Sequence, residues 1–241
     1  AIFNKAGHII AVLAGKPKDN SWDGVMQELT SKLKDARNNM SFTKKQSSNK
    51  RGDFPSVSVG NSFGGGSQHP GTLAFYGEAN CFILLSIIAF SGFRRLVGFA
   101  NCIFQCYAAN TFGLYNDDLN MLFTSSPRLI CWFNSVFASV SLNLGPETVT
   151  WPHTDNYNLA FGWCAITALG NFDPDCGGHM ILWDLGLVIR FPPGSTILIP
   201  SALLTHSNVP IQPGEERYSI IQYSSSGLFC WVYNGFKSDK D

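Results

Sequence analysis

The chain has 241 residues, of which 45% are hydrophobic and 14% charged, and its formal net charge at pH 7 is zero. This composition excludes intrinsic disorder, which requires few apolar residues and a high net charge. The zero net charge excludes a global basic field that would draw the whole surface onto nucleic acid or an anionic membrane. We expect a single domain that spans residues 1–241.

The seven cysteines indicate a reducing environment. Their number is odd, no Cys-x-x-Cys pair occurs, and most of them fall inside apolar runs. We therefore expect buried free thiols and an intracellular location, with the nucleus as one option. The most apolar stretch, residues 81–90, is too short to cross a bilayer, so no membrane span is predicted.

The first third of the chain combines a strand, a helix and a loop region. Residues 8–14 form a β-type run, and apolar residues at three- and four-residue spacing predict an amphipathic helix over residues 22–40. Seven basic residues lie in the segment 31–51. They form either a solvated helix end and loop or a binding surface for a polyanion. Residues 41–72 are predicted as a basic and glycine-rich loop region, whose glycine-rich part is either a flexible connection or a substrate-contacting lid.

The remainder of the chain predicts helices followed by strands. Apolar spacing favours two or three helices between residues 73 and 123. After Pro127, short runs rich in β-branched and aromatic residues predict strands near residues 137–144, 159–169, 179–183, 187–191, 196–200 and 218–223. The predicted fold class is α+β, with a β-sandwich or jelly roll over residues 127–241 and a supporting, mostly helical layer over residues 1–126.

Two histidines and one aspartate form the first candidate site. His153 and Asp155 are two residues apart in a segment expected to be extended, so both side chains leave the same face. His206 follows a β-type run much later in the chain. Two histidines and one carboxylate are the ligands of the facial triad, which holds Fe(II) and leaves coordination positions open for O2 and a chelating co-substrate.

Arg217 and Ser219 form the second candidate site. Alternation along a strand places their guanidinium and hydroxyl groups on one face, and a carboxylate is the natural ligand of that pair. Taken singly, a histidine among apolar residues is usually structural and an arginine on a strand is usually a surface cation. The order and spacing of the five residues favour the functional interpretation, whereas the other three histidines stay structural.

At these residues the chain resembles the TET/JBP-like family of Fe(II)/2-oxoglutarate-dependent oxygenases, in particular its fungal branch. The resemblance covers about residues 135–236. The motifs that carry it are WPHTDNYN at 151–158, GNFDPDCGG at 170–178, FPPG at 191–194, IPSALLTH at 199–206 and ERYS at 216–219.

The resemblance implies a double-stranded β-helix (jelly roll) core and a set of site residues. It implies that His153, Asp155 and His206 bind Fe(II) and that Arg217 and Ser219 bind 2-oxoglutarate. Three further residues have substrate-binding roles by this resemblance: Asn158 reads a flipped pyrimidine, Tyr223 stacks on it, and Ser225 stands where animal members place a base-contacting histidine. Arg94 or Arg95 is a candidate for the other end of 2-oxoglutarate.

The implied activity is oxidation of a methylated base in nucleic acid, such as 5-methylcytosine in DNA, with release of succinate and CO2. We expect a monomer without a protein partner or a membrane. Two alternatives stay open. The same chemistry could act on a small molecule or a protein side chain, and a catalytically inactive jelly roll could serve as a binding module.

Overall fold

The computed structural model describes residues 1–73 and 77–238. The strands are β1 (Ile2–Phe3), β2 (Ile9–Gly15), β3 (Ser56–Ser62), β4 (Gly71–Thr72), β5 (Ser139–Asn143), β6 (Cys164–Asn171), β7 (Met180–Leu182), β8 (Leu187–Ile189), β9 (Thr196–Ile199), β10 (His206–Asn208) and β11 (Glu216–Tyr223). The α-helices are α1 (Trp22–Asn39), α2 (Lys44–Ser47), α3 (Glu78–Ala89), α4 (Ser91–Tyr107), α5 (Ala109–Ser125) and α6 (Ser226–Tyr233).

The strands form two antiparallel sheets. The larger sheet has eight strands in the order β1-β2-β9-β6-β11-β5-β3-β4, and the smaller sheet has three in the order β10-β7-β8. An apolar core fills the space between them, with Ile166, Met180, Leu182 and Ile197 among its buried members. The predicted jelly-roll core with a supporting layer of amino-terminal helices is confirmed.

The amino-terminal half supplies strands as well as helices. The prediction of a loop over residues 41–72 is wrong for β3, which pairs with β5 in the larger sheet, Val57 opposite Leu142 and Val59 opposite Val140. These valines are buried against the helical layer, and serines alternate with them. Period-two alternation is the strand signal, but serine and glycine at every second position weaken it.

The helices cover the outer face of the larger sheet. Trp22, Met26, Leu29 and Leu33 of α1 are buried at three- and four-residue spacing, as predicted, and pack in one cluster with α3, α4 and outward-facing residues of the sheet. The indole N–H of Trp22 donates to the Gly194 carbonyl over 3.0 Å, which fastens α1 to the loop before β9. This layer leaves the opposite face of the sheet free to form a site.

The prediction that the cysteines are buried is wrong for most of them. Only Cys164 is buried, Cys81 is partly buried, and the other five are exposed, although all seven are free thiols. Cys102 and Cys106 lie on α4, whose buried positions are occupied instead by residues such as Ala100 and Phe104. An apolar run therefore located the helix but did not locate its inward face.

Neither α3 nor α4 is long and apolar enough by itself to span a membrane, and the same holds for every other helix within the described ranges. Together, α3 and α4 have the length and composition of a span, but a 61° bend separates them.

Candidate metal and carboxylate site

His153 and His206 are paired directly through their backbones. His153 donates its N–H to the carbonyl of His206 over 3.1 Å, and His206 returns the hydrogen bond over 2.9 Å. The segment that contains His153 therefore lies beside β10, along the edge of the smaller sheet. The two imidazole centroids are 4.4 Å apart. Strand pairing thus brings together two residues that are far apart in the sequence.

Asp155 completes the predicted cluster. Its backbone N–H donates to the carbonyl of Ser201 over 2.8 Å, and its Oδ1 lies 4.0 Å from Nε2 of His153. One ligand atom from each of Asp155, His153 and His206 lies within 4.8 Å of the other two. Over residues 1–73 and 77–238, this is the only group of three or more histidine, cysteine or acidic side chains with metal-binding proximity.

Both imidazoles are oriented for metal binding. Nδ1 of His153 lies 2.6 Å from the carbonyl oxygen of Trp151, and Nδ1 of His206 lies 2.8 Å from that of Leu204. Because a carbonyl can only accept a hydrogen bond, each Nδ1 is assigned the proton and each Nε2 keeps a lone pair. Metal-binding histidines are commonly oriented by such a bond from the other ring nitrogen.

The charges of the cluster suit a divalent cation. Burial and the neighbouring His206 lower the pKa of His153 to about 4, so this imidazole is neutral near pH 7. Burial alone raises the pKa of Asp155, but its electrostatic interactions with Arg51, His206 and His153 together outweigh burial, so the pKa lies below its ordinary value. A neutral imidazole and an ionised carboxylate are the forms that bind metal.

Arg51 belongs to this site, although the sequence places it only in a basic segment. Its Nη2 donates a hydrogen bond to Oδ1 of Asp155. The Arg51 side chain is 52% exposed, whereas that of Asp155 is 10% exposed, so the guanidinium reaches in from the mouth of the site.

Arg217 and Ser219 lie on the inner face of β11, as the predicted alternation requires. Arg217 is only 2% exposed, and its Nη1 donates to the carbonyl of Thr148 over 3.0 Å. Its buried Nε has no hydrogen-bond partner within residues 1–73 and 77–238. Burial lowers the pKa of Arg217 to about 10, which still leaves it cationic at neutral pH. None of the ion pairs among the described residues involves it. A buried cation in this state is costly without an anion, so a carboxylate ligand would complete the site.

A single cavity of about 370 Å³ contains both candidate sites. Its lining includes the residues that the sequence analysis assigns to the metal, to the first carboxylate and to the substrate: His153, Asp155, His206, Arg217, Ser219, Asn158, Tyr223 and Ser225. Neither Arg94 nor Arg95 lines it, and Arg95 instead pairs with Asp19 on the helical side of the larger sheet. The suggestion that one of them binds the second end of 2-oxoglutarate is therefore wrong.

The three residues with implied substrate roles have different surroundings. The Asn158 amide donates to Oγ of Ser201 over 3.0 Å, and Tyr223 is partly buried on the inner face of β11. Ser225 is buried, and its Oγ accepts hydrogen bonds from the Phe63 N–H over 3.2 Å and from the Ser62 hydroxyl over 3.3 Å. Ser225 thus holds the start of the glycine-rich segment 63–70.

The glycine-rich segment 63–70 borders the mouth of the cavity. Both of its ends pack on Trp231 of α6, where the ring centroid of Phe63 is 5.1 Å away and that of His69 is 5.5 Å away. Between these anchors, Gly64 and Gly65 line the cavity, and a Cβ added at either would meet nothing within 4 Å. The segment can therefore approach a ligand closely.

Comparison with known proteins supports the fold. No protein-family model and no curated protein matches the chain. Among solved structures, NgTET1 in complex with 5mC DNA is similar with a TM-score of 0.64 and 15% identity, over 93% of this chain and 75% of that chain. This likeness shows a shared jelly-roll fold.

Two further structures are more distantly similar. A 2OG-Fe(II) oxygenase family oxidoreductase from Burkholderia pseudomallei has a TM-score of 0.43 and 11% identity, over 88% of this chain and 93% of that one. A Pseudomonas putida prolyl-4-hydroxylase has a TM-score of 0.41 and 13% identity, over 90% of this chain and 92% of that one.

Sequence reasoning missed the polar wall that β3 and β5 contribute to the cavity. Its members are Ser56, Ser58, Ser141 and Asn143. The serine–valine alternation of residues 56–62 was the signal that could have found half of it. Arg51 gave no such signal, because its partner Asp155 lies 104 residues later in the chain.

Proposed function

We propose that the protein is an Fe(II)- and 2-oxoglutarate-dependent oxygenase. The observation that carries this proposal is that one cavity contains both a His–Asp–His cluster and a buried arginine that forms no ion pair with any described residue. The first group fits a metal that keeps open coordination positions, and the second fits a carboxylate. Neither group has an evident structural reason to be buried beside the other.

In this proposal the chain holds the two reagents through different residues. Nε2 of His153, Nε2 of His206 and the Asp155 carboxylate would bind Fe(II), and Arg217 with Ser219 would bind the carboxylate of 2-oxoglutarate that does not touch the metal. When bound, iron and 2-oxoglutarate supply an oxidant derived from O2, with release of succinate and CO2. The task of the protein groups is to hold these reagents and a substrate C–H bond in line.

Arg51 is the better candidate for a second cation near the co-substrate. A metal bound through Oδ1 of Asp155 would displace the Arg51 guanidinium from that oxygen, and the positive charge of Arg51 would remain in the cavity lining. A dicarboxylate such as 2-oxoglutarate would then be attracted to both Arg51 and Arg217.

For the substrate we propose a methylated base in nucleic acid, with 5-methylcytosine in DNA as the first choice. The Asn158 amide is fixed by Ser201 and Tyr223 lines the same cavity, so a hydrogen-bonding group and an aromatic ring are available to a flipped base. The 5mC DNA bound to NgTET1 motivates the same choice. Membership of the TET/JBP-like family and its fungal branch, action as a monomer, and an intracellular, nuclear location form part of this proposal.

Residues on the segment that carries Arg51 and in the cavity lining agree with a nucleic-acid substrate. Lys44, Lys45 and Lys50 are exposed and precede Arg51 in the chain, and Tyr157, 75% exposed, lines the cavity. Basic and aromatic side chains are the groups that hold a phosphate backbone and stack on unpaired bases.

The test is incubation with methylated DNA duplexes, Fe(II), ascorbate and 2-oxoglutarate, followed by mass spectrometry of the bases and of succinate. Oxidised bases with succinate in the wild-type protein, and neither in His206→Ala, would support the proposal. Succinate without oxidised bases would support oxygenase activity but reject a methylated base as the substrate. The absence of both with every methylated duplex would reject this substrate and leave the second candidate substrate and a non-catalytic binding module.

A small molecule or protein side chain is the second candidate substrate. The zero net charge favours it, because a duplex-binding surface is usually strongly basic. Salt dependence separates the two candidates: affinity for DNA that falls steeply with ionic strength supports the nucleic-acid substrate, whereas no measurable DNA binding supports the second candidate.

A further inference from the structure

Three polar side chains form a row across β3, β5 and β11 that ends at the proposed co-substrate site. Ser56 lies opposite Asn143 on the neighbouring strand, and Asn143 lies opposite Ser219 on the next. The Ser56 hydroxyl is 2.8 Å from Oδ1 of Asn143, and Nδ2 of Asn143 is 3.0 Å from Oγ of Ser219. Asn143 and Ser219 are buried, 7% and 3% exposed.

The direction of each hydrogen bond follows from the chemistry of the amide. In the structure Oδ1 of Asn143 faces Ser56, and because an amide oxygen can only accept, Ser56 donates to it. Nδ2 can only donate, so Oγ of Ser219 is the acceptor. The hydroxyl proton of Ser219 is therefore not used toward Asn143 and can be donated to another acceptor.

The Ser219 hydroxyl group that carries this proton is on the same strand face as the buried Arg217. Ser219 is two residues from Arg217 on the same face of β11, and both line the cavity with Asn143. The adjacent outward-facing positions of the three strands, Val57, Leu142 and Ile220, are apolar and buried in the helical core. The polar row thus faces only the cavity.

We propose that Asn143 is a positioning residue for 2-oxoglutarate. By donating to Oγ of Ser219, it directs the Ser219 hydroxyl proton toward the co-substrate carboxylate that Arg217 binds, while Ser56 donates to the other end of the Asn143 amide. The inference rests on the proposed function of Arg217 and Ser219.

Calorimetric titration of the Mn(II)-loaded protein tests this inference without turnover. The two probes are 2-oxoglutarate and pyruvate, which is also a 2-oxo acid but lacks the distant carboxylate. Asn143→Ala should weaken 2-oxoglutarate binding about fivefold, the size expected for loss of the one neutral hydrogen bond that orients Ser219, and should change pyruvate binding less than about twofold. Equal weakening of both ligands would overturn the inference, because it would mean general damage to the site.

Two further variants distinguish loss of the Asn143–Ser219 contact from misfolding of the protein. The near-isosteric Asn143→Asp turns the donor into a charged acceptor, so it should weaken 2-oxoglutarate more than Asn143→Ala does while the unfolding transition stays cooperative. In a Ser219→Ala background, Asn143→Ala should have almost no further effect on 2-oxoglutarate. Additive losses in that double variant would overturn the inference.

The same titrations separate failure of the proposed co-substrate site from failure of the proposed role of Asn143. If the metal-loaded wild-type protein binds no 2-oxoglutarate, or if Arg217→Met binds it as well as wild type does, the co-substrate site itself is wrong and the role of Asn143 falls with it. If Arg217→Met loses 2-oxoglutarate but Asn143→Ala and Asn143→Asp do not, only the role of Asn143 is overturned.

Discussion

The guanidinium of Arg51 donates a hydrogen bond to the carboxylate of Asp155, the only acidic member of the His–Asp–His cluster. The same oxygen atom, Oδ1, lies 4.0 Å from Nε2 of His153. A metal bound through Oδ1 would therefore compete with Arg51 for this oxygen.

This competition predicts that removing Arg51 strengthens metal binding. Arg51→Gln should bind Mn(II) about tenfold more tightly than wild type in the absence of 2-oxoglutarate, because a neighbouring cation both occupies Asp155 and repels a divalent ion. Metal titration followed by tryptophan fluorescence measures the affinity. The matched control is Lys50→Gln, which removes an adjacent exposed cation and should change the affinity less than about twofold. Weaker metal binding by Arg51→Gln would show that Arg51 supports the ligand instead.

Arg217 is predicted to favour ligand binding at the expense of stability. Arg217→Met keeps much of the side-chain volume and removes a buried charge that has no ion-pair partner among the described residues, so the ligand-free protein should become more stable by about 1–3 kcal/mol. Urea unfolding measures this change, and calorimetry should show that 2-oxoglutarate binding is lost. Destabilisation of the ligand-free protein would mean that Arg217 is chiefly a structural residue.

Ser225 is predicted to control the glycine-rich segment 63–70. Its Oγ is the acceptor for the Phe63 N–H, so Ser225→Ala should speed amide hydrogen exchange at Phe63 about fivefold, the loss expected for one neutral hydrogen bond. The control is Ser226→Ala, which removes a hydroxyl that donates instead to the carbonyl of Tyr157. Unchanged exchange at Phe63 in Ser225→Ala would exclude the anchoring role.

The sequence predicted the parts of the site that depend on local alternation. Arg217 and Ser219 are two residues apart on one strand, and His153 and Asp155 are two residues apart on one extended segment, so spacing alone indicated a common direction. The approach of His206 to His153 was inferred from its position after a β-type run and from the family resemblance, and the backbone pairing in the structure supplies the physical reason.

The remaining parts depend on contacts between distant segments. β3 pairs with a strand about 80 residues later, and the serines that make it a wall of the cavity also make its sequence look like a loop. By residue type, Arg95 is a candidate cation for the other end of 2-oxoglutarate. In the structure, α4 places Arg95 against Asp19 and Trp22 on the other side of the sheet. Residue type without sheet topology could not separate Arg51 from Arg95.

The most direct test of the central claim is anaerobic addition of Fe(II) and then 2-oxoglutarate to the protein, followed by visible absorption spectroscopy. If His153, Asp155 and His206 hold iron that 2-oxoglutarate chelates, a charge-transfer band should appear in the wild-type protein and in His8→Ala and should be absent from His206→Ala. A band of equal intensity in His206→Ala, or no band in the wild-type protein, would contradict the proposed centre.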